Sequence, residues 1–272
     1  MRNSMMTVVL VSLILVGIPA VSFAADIAYS VGVCAGMAPD YEGSDKSEGV
    51  PLPYFSAQWK SGRYVALAGA TVKSNLLDSN KWFFGPLLQY RPKRDDDVDN
   101  IAVSTMREID AAVEAGAFLG YKFNNWDLGI QMATDVSDTH DGMLATAGTG
   151  YTFKTDRTRT RIGVSLTYAD DDYMDTYFSV DADNATQSLL PIYKAESGLK
   201  DIGVNVMLLY NMTDNWDIRG GLGYIALLGD SEDSPIVDIE GESGQVKASI
   251  IVIYNFWTWE NRYKTAVLQG TL

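Results

Sequence analysis

The sequence predicts an all-β protein, a transmembrane antiparallel up-and-down β-barrel. Three observations predict it. After residue 25 the chain runs in segments of about ten residues with an apolar side chain at every second position. Short, turn-like joints between these segments alternate with long polar ones. The chain also opens on an export signal. A strand points its side chains to opposite faces in turn, so each segment has one oily face and one polar or small face. Repeated along most of an exported chain, this describes lipid outside and water or packed polar groups inside.

The export signal has Arg2 as its positive start, Thr7 to Ile18 as its apolar core, and Ser22-Phe23-Ala24 as small residues at peptidase spacing. A permanent helical span needs roughly 20 apolar residues. This run is shorter and is followed directly by Pro19. The expected division is therefore a cleaved signal peptide at 1–24, one barrel domain at 25–256 and an atypical C-terminal extension at 257–272. The net charge of −14 excludes a nucleic-acid partner, whose phosphates demand basic patches. One cysteine, Cys34, excludes an internal disulfide. Cys34 falls with Gly32 and Gly36 on the small face of the first strand, the place of a buried thiol.

In chain order the strands are expected at Ile27–Met37, Leu52–Lys60, Arg63–Thr71, Trp82–Tyr90, Ala111–Phe123, Trp126–Val136, Met143–Phe153, Thr160–Tyr168, Ile202–Met212, Trp216–Leu228 and Val246–Phe256. Asn124-Asn125, Thr155-Asp156-Arg157 and Thr213-Asp214-Asn215 are hairpin turn chemistry. Trp82, Trp126 and Trp216 each follow such a turn. They are expected at the headgroup level, where an indole satisfies both its ring and its N–H. These ends are thus periplasmic, and the long joints 92–109, 137–142, 170–200 and 229–244 face outward. Eleven strands conflict with both termini lying in the periplasm. Either residues 38–49 hide a crossing or the first four strands are wrongly divided. Twelve is the expected count, with ten as the alternative. Tyr254 and Phe256 form the aromatic strand end that serves as an assembly signal. Residues 257–272 run on as a disordered tail, or as a docking segment.

Catalytic chemistry finds little support. The only histidine, His140, lies in a short loop, where it reads as a solvated turn residue. Its pairing with Asp138 is the sole hint of a water-activating dyad. Asp95-Asp96-Asp97 with Asp99, and Asp170-Asp171-Asp172, lack the spacing of a calcium loop and read as solvated loop charge. Arg157, Arg159 and Arg161 mark the membrane interface. Glu114, Lys122, Asp127, Gln131, Asp135, Arg161, Asn205, Asp217, Arg219 and Lys247 are expected to face the lumen, either paired across a closed interior or lining a narrow pore. No metal or cofactor is expected.

Specific words remain. Pro39-Asp40-Tyr41-Glu42-Gly43 within residues 38–45, Leu52-Pro53-Tyr54-Phe55, Asn75 to Ser79, Gly85 to Leu88, Val113-Glu114-Ala115-Gly116, His140-Asp141-Gly142, Tyr168-Ala169-Asp170-Asp171-Asp172-Tyr173-Met174, Tyr177-Phe178 and Ser234-Pro235-Ile236-Val237 occur in collinear order. Together they resemble the MipA/OmpV family over residues 26–256. The resemblance implies a non-enzymatic outer-membrane protein in contact with lipopolysaccharide. Its best-known role is a scaffold that tethers a murein lytic transglycosylase and a penicillin-binding murein synthase. Porin-like and adhesive members imply the alternatives, a small diffusion channel or a surface adhesin. The adhesin would present Tyr173, Tyr177 and Phe178 of the loop after Tyr168.

Overall fold

The computed structural model describes residues 27–256 of the 272-residue chain, so the expected signal peptide and the extension at 257–272 lie outside the described residues. Twelve antiparallel strands close into one barrel: β1 (Ile27–Pro39), β2 (Ser47–Trp59), β3 (Tyr64–Ala68), β4 (Thr71–Asn75), β5 (Trp82–Arg91), β6 (Ala112–Phe123), β7 (Trp126–Asp135), β8 (Met143–Lys154), β9 (Thr158–Ala169), β10 (Gly198–Asn211), β11 (Trp216–Leu227) and β12 (Gly244–Asn255). Each strand pairs with its sequence neighbours, and β1 pairs with β12 to close the ring, Ser30 opposite Asn255 through Met37 opposite Ala248. Closure gives the spanning backbone its hydrogen-bond partners without water, which a bilayer requires.

The outer surface is apolar throughout. On β7, Trp126, Leu128, Ile130 and Met132 are exposed, while the residues between them turn inward. Ile202, Val204, Val206 and Leu208 do the same on β10. An exposed aliphatic band of this extent belongs against lipid.

The count of twelve stands, but the missing strand is not in residues 38–49, where β1 and β2 simply run longer than expected. It is β4. The expected strand Arg63–Thr71 breaks at Gly69, whose φ of +62° lies in the left-handed region. The chain folds back there, pairing Ala68 with Thr71. The β3–β4 hairpin stops short of the wall's upper rim. Ala68 pairs with Tyr54 of β2, and Gly69 donates its N–H to the Pro53 carbonyl at 3.2 Å. Among the described residues, Ser47–Leu52 of β2 therefore have a strand partner only in β1.

The joints expected at the periplasmic end are tight. Asn124 takes a positive φ of 55° in the two-residue turn between β6 and β7. Ser79 Oγ accepts from the backbone N–H of Lys81 and Trp82, and Thr213 Oγ1 accepts from Asn215 and Trp216, the same hydroxyl turn at two sites. The long joints do not stand free in solvent. They carry α1 (Ile101–Ser104), α2 (Asp171–Phe178), α3 (Ala182–Ser188) and α4 (Pro235–Asp238) and pack into the outer mouth as a plug. One part of its core joins Ile109, Tyr173, Met174, Phe178, Ala195 and Val237 to the rim residues Ala169 and Leu227. The other gathers Tyr41, Val98, Val103, Met106, Val180, Leu190 and Ile236. Each such large side chain contributes about 1.5–3 kcal/mol by leaving water.

Candidate functional site

The plug meets the wall at a buried cluster of charges, built by one irregularity in the sheet. Between β9 and β10, Leu199 pairs with Tyr168 but Asp201 pairs with Thr167, so Lys200 is an extra residue, a β-bulge. A bulge breaks the alternation of sides. Here it turns two successive charged residues inward, and Lys200 and Asp201 are both buried. Lys200 Nζ lies 2.6 Å from Asp201 Oδ2 and 3.0 Å from Glu42 Oε1.

Glu42 is the centre of this cluster. It hangs from the loop 40–46, which Gly43 lets turn at φ +95°. Its Oε2 accepts the Tyr173 hydroxyl at 2.6 Å, and its Oε1 lies 3.4 Å from Arg91 NH1. Arg91 Nε in turn donates to Glu114 Oε1 at 2.8 Å, and the guanidinium lies over the rings of Tyr173 and Tyr177 at 5.0 and 5.3 Å. Burial alone would raise the Glu42 carboxyl. The Lys200 and Arg91 charges and the Tyr173 hydroxyl together outweigh it and hold the group well below the usual carboxylate range. Burial pushes the Tyr173 and Tyr177 phenols up, so both stay neutral donors at physiological pH.

His140 completes the cluster from the other side and is not a solvated turn residue; it is buried at 3% exposure. The Asp135 carboxylate explains this, for it accepts the backbone N–H of Ser137, Thr139 and His140 at 2.8, 2.6 and 2.7 Å and winds the loop around itself. That winding aims the imidazole inward. Its Nδ1 accepts the Gly142 N–H at 3.1 Å, and its Nε2 lies 3.3 Å from Glu114 Oε1, off the line of a good hydrogen bond. The ring meets Tyr173 and Tyr177 edge-on at 5.2 and 5.5 Å. Asp138, the expected partner, is exposed with a positive φ and plays no part. None of these contacts of His140 brings a serine, threonine or cysteine to the imidazole.

Two glycines let the pieces close up. A Cβ on Gly43 would strike Val237 Cγ2, and one on Gly142 would strike the backbone N of Tyr173 and lie 2.7 Å from its Cβ. Words scattered along the chain thus meet at one place: Glu42 and Gly43, Glu114, His140 and Gly142, Tyr173 and Tyr177, and Ser234 to Val237. Ser234 Oγ donates to the Phe178 carbonyl at 2.6 Å. Gln245 of β12 ties the loops 40–46 and 228–243 to the wall, accepting from Gly43 N at 3.3 Å and donating to the carbonyls of Ser44 and Glu242 at 3.2 and 2.6 Å.

The remaining expected residues are placed as follows. Pro39 ends β1, Asp40 accepts the Asp99 N–H at 2.9 Å, and Tyr41 is buried in the plug, where burial pushes its phenol up to about 12. Asp170 caps α2 through the Tyr173 N–H at 3.1 Å, and Asp171 accepts from Ser197 N at 2.7 Å. Asp172 lies in the first turn of α2. The Asp170-Asp171-Asp172 cluster thus starts a helix rather than lying free in solvent. Among the described residues no group of three or more His, Cys, Asp or Glu could hold a metal ion. Tyr173, Tyr177 and Phe178 are buried in the plug, so the aromatic surface expected for an adhesin is not there. Arg159 and Arg161 do not mark the interface either: both are buried in the lumen, where Arg161 grips Asp127 at 2.6 and 2.9 Å and Asn205 at 3.1 Å. Trp82, Trp126 and Trp216 open β5, β7 and β11 at the short-turn end, each against a tyrosine, Tyr121, Tyr151 and Tyr254, at 4.5, 5.1 and 4.9 Å. Tyr254 and Phe256 pack edge-on at 5.1 Å.

A closed apolar-surfaced wall whose outer mouth is filled by its own loops defines a membrane-spanning β-barrel of the bacterial outer-membrane class. The family model described as MltA-interacting protein MipA matches residues 31–256. The chain belongs to that family. No curated protein matches it. Among solved structures it is similar to an outer-membrane channel from Pseudomonas putida F1, with 10% identity, a TM-score of 0.46, and coverage of 88% of this chain and 99% of that one. It is also similar to the KdgM porin (14%, TM-score 0.44, 84% and 99%). A third likeness is the translocator domain of the autotransporter NalP from Neisseria meningitidis (9%, TM-score 0.45, 93% and 96%). The barrel assignment rests on the strand pairing above, not on these likenesses.

Proposed function

We propose that this chain is a non-enzymatic barrel, exported by its signal peptide to the outer membrane, that tethers murein-remodelling enzymes at the membrane's inner face. The partners would be a lytic transglycosylase and a penicillin-binding murein synthase. The observation that carries this reading is the fate of the long loops. They are spent on a packed plug rather than on a free outer surface, and the short turns 124–125, 155–157 and 212–215 remain for contacts on the periplasmic side. The family's description as an MltA-interacting protein supports the choice of partner. In this reading Trp82, Trp126 and Trp216 sit at the headgroup level, lipopolysaccharide surrounds the outer half of the wall, and Tyr254 with Phe256 marks the strand read during assembly. In-cell crosslinking of the tagged mature barrel, against an unrelated barrel as control, is expected to recover a lytic transglycosylase or murein synthase selectively. Equal recovery with the control sinks the reading.

A second reading, a diffusion channel gated by its plug, draws on the polar lumen beneath that plug. Steady conductance of the unaltered protein in a planar bilayer would favour it, and a silent bilayer would count against it.

A further inference from the structure

Charge is divided unequally across the molecule. The joints 40–46, 92–111, 136–142, 170–197 and 228–243 hold twenty-four of the 35 acidic side chains and only five of the 21 basic ones. The lumen beneath the Glu42 cluster has the opposite sign. Lys73, Lys122, Arg159, Arg161, Arg219 and Lys247 face it, against Asp127 and Asp217. The arginines are engaged. Arg161 holds Asp127 and Asn205, and Arg219 lies over the Tyr54 ring at 5.3 Å.

The three lysines are not matched. Lys73 donates to Gln131 Oε1 at 2.8 Å and lies over Phe118 at 5.6 Å. Lys122 lies over Phe83 at 5.4 Å and opposite Asp127 on β7, but Arg161 already holds that carboxylate, and Lys154, Arg159 and Arg161 add like charge around it. Lys247 feels Glu42 and Asp201 across the lumen without a hydrogen bond to either, and stays exposed inside the barrel. Among the described residues none of the three makes an ion pair. An ammonium enclosed by a protein wall without an ion pair of its own is costly, and an incoming anion relieves that cost.

The placement is graded. Lys122 is one residue from the periplasmic end of β6. Lys73 sits opposite Leu87 in the middle of β5. Lys247 is three residues from the outer end of β12, opposite Gly223. The residues beside it, Gly221, Gly223, Gly36 and Ser249, are small. Three point charges rising from the periplasmic mouth to the plug match an elongated polyanion. Between them Gln131, Asn205 and Ser249 offer amides and a hydroxyl, which suits a ligand whose charges are separated by hydroxyl-bearing units.

We propose that the lumen beneath the plug is a closed-ended binding site for an acidic oligosaccharide, a chain of sugars each carrying a carboxylate, that enters from the periplasm. This goes beyond the tethering of enzymes and does not depend on it. The test is calorimetric titration of the full mature barrel in detergent with tetragalacturonate, with maltotetraose and inorganic polyphosphate as comparisons. Tetragalacturonate is expected to bind in a salt-sensitive way and maltotetraose not at all. The Lys73→Gln/Lys122→Gln/Lys247→Gln protein, checked for the heat-dependent gel mobility of a folded barrel, is expected to bind at least about tenfold more weakly. The Lys73→Arg/Lys122→Arg/Lys247→Arg protein, which keeps the charge, is expected to restore binding. No binding, equal binding of the neutral sugar, or full affinity in the folded glutamine variant would overturn the proposal. Tighter binding of polyphosphate would overturn the saccharide.

Discussion

The two ends of the lumen solve the problem of enclosed charge in opposite ways. At the outer end Glu42, Arg91, Glu114, Lys200 and Asp201 are tied to one another and roofed by aromatic rings. Below it, Lys73 at mid-wall and Lys122 near the short-turn end have an amide and ring faces, but no carboxylate within ion-pair distance among the described residues. A matched network of buried charges fixes one arrangement, since removing any member strands the others. An unmatched one leaves capacity for a ligand. One wall runs through both halves, so the loops and side chains placed inside it decide which half is lid and which is vessel.

The comparison breaks most visibly if the lid is removed. Deleting residues 171–196 should be tolerated by the wall, because Ala169 and Gly198 already pair across the joint. The expected result in a planar bilayer is a shift from silence to an open, anion-selective conductance. Cation selectivity would refute the charge division. Next in size is Glu42→Gln, which leaves Lys200 only Asp201 and Arg91 only Glu114 as ion-pair partners and should cost up to about 3–5 kcal/mol of plug stability. Its expected signature is rapid protease cleavage within 170–197 while the strands stay paired.

A smaller effect, about 1–3 kcal/mol, is expected for Gly142→Ala, whose methyl would meet the Tyr173 backbone. Near-ultraviolet dichroism should report it through the loosened tyrosines. The smallest effect concerns acid. Because the folded-state carboxyl of Glu42 lies below its unfolded value, its stabilisation is complete above the ordinary carboxylate range and fades only as pH falls through the folded value. Protease resistance of the plug should therefore be flat from neutral pH down to about 5 and decline only in stronger acid. A loss already at higher pH would refute the assignment of the lid to Glu42.

Much of the wall was legible because lipid enforces a strict period of two: the strands from Trp82 onward, their orientation and the lumen-facing list all follow from it. β4 was not legible, since its sequence Thr71 to Asn75 is short and largely polar and carries only Val72 as a large apolar residue. The plug was misread as solvated loop because long polar joints usually are. A signal was present, for Tyr173, Met174, Tyr177 and Phe178 repeat at helical spacing behind the cap residue Asp170. Lys200 escaped notice because a bulge is an exception to alternation. Two charges in a row before Ile202 were its only trace. The burial of His140 depends on Asp135 gathering the amides of Ser137, Thr139 and His140, which no pattern of hydrophobicity records.

The short β3–β4 hairpin has a consequence for how this barrel lives among other barrels. The upper part of β2 exposes a strand edge toward the membrane, and an exposed edge invites a foreign strand. The Pro53 carbonyl faces the hairpin side, and in a strand the amide of a residue points the same way as its carbonyl. Pro51, two positions along, faces that side too, so the two donor positions next to the hairpin carry a ring nitrogen without hydrogen, and only Gly49 and Ser47 nearer the rim keep an N–H on that side. The seam is thus blunted where it runs deepest into the wall, and a foreign strand could pair with donors only at its outermost two positions.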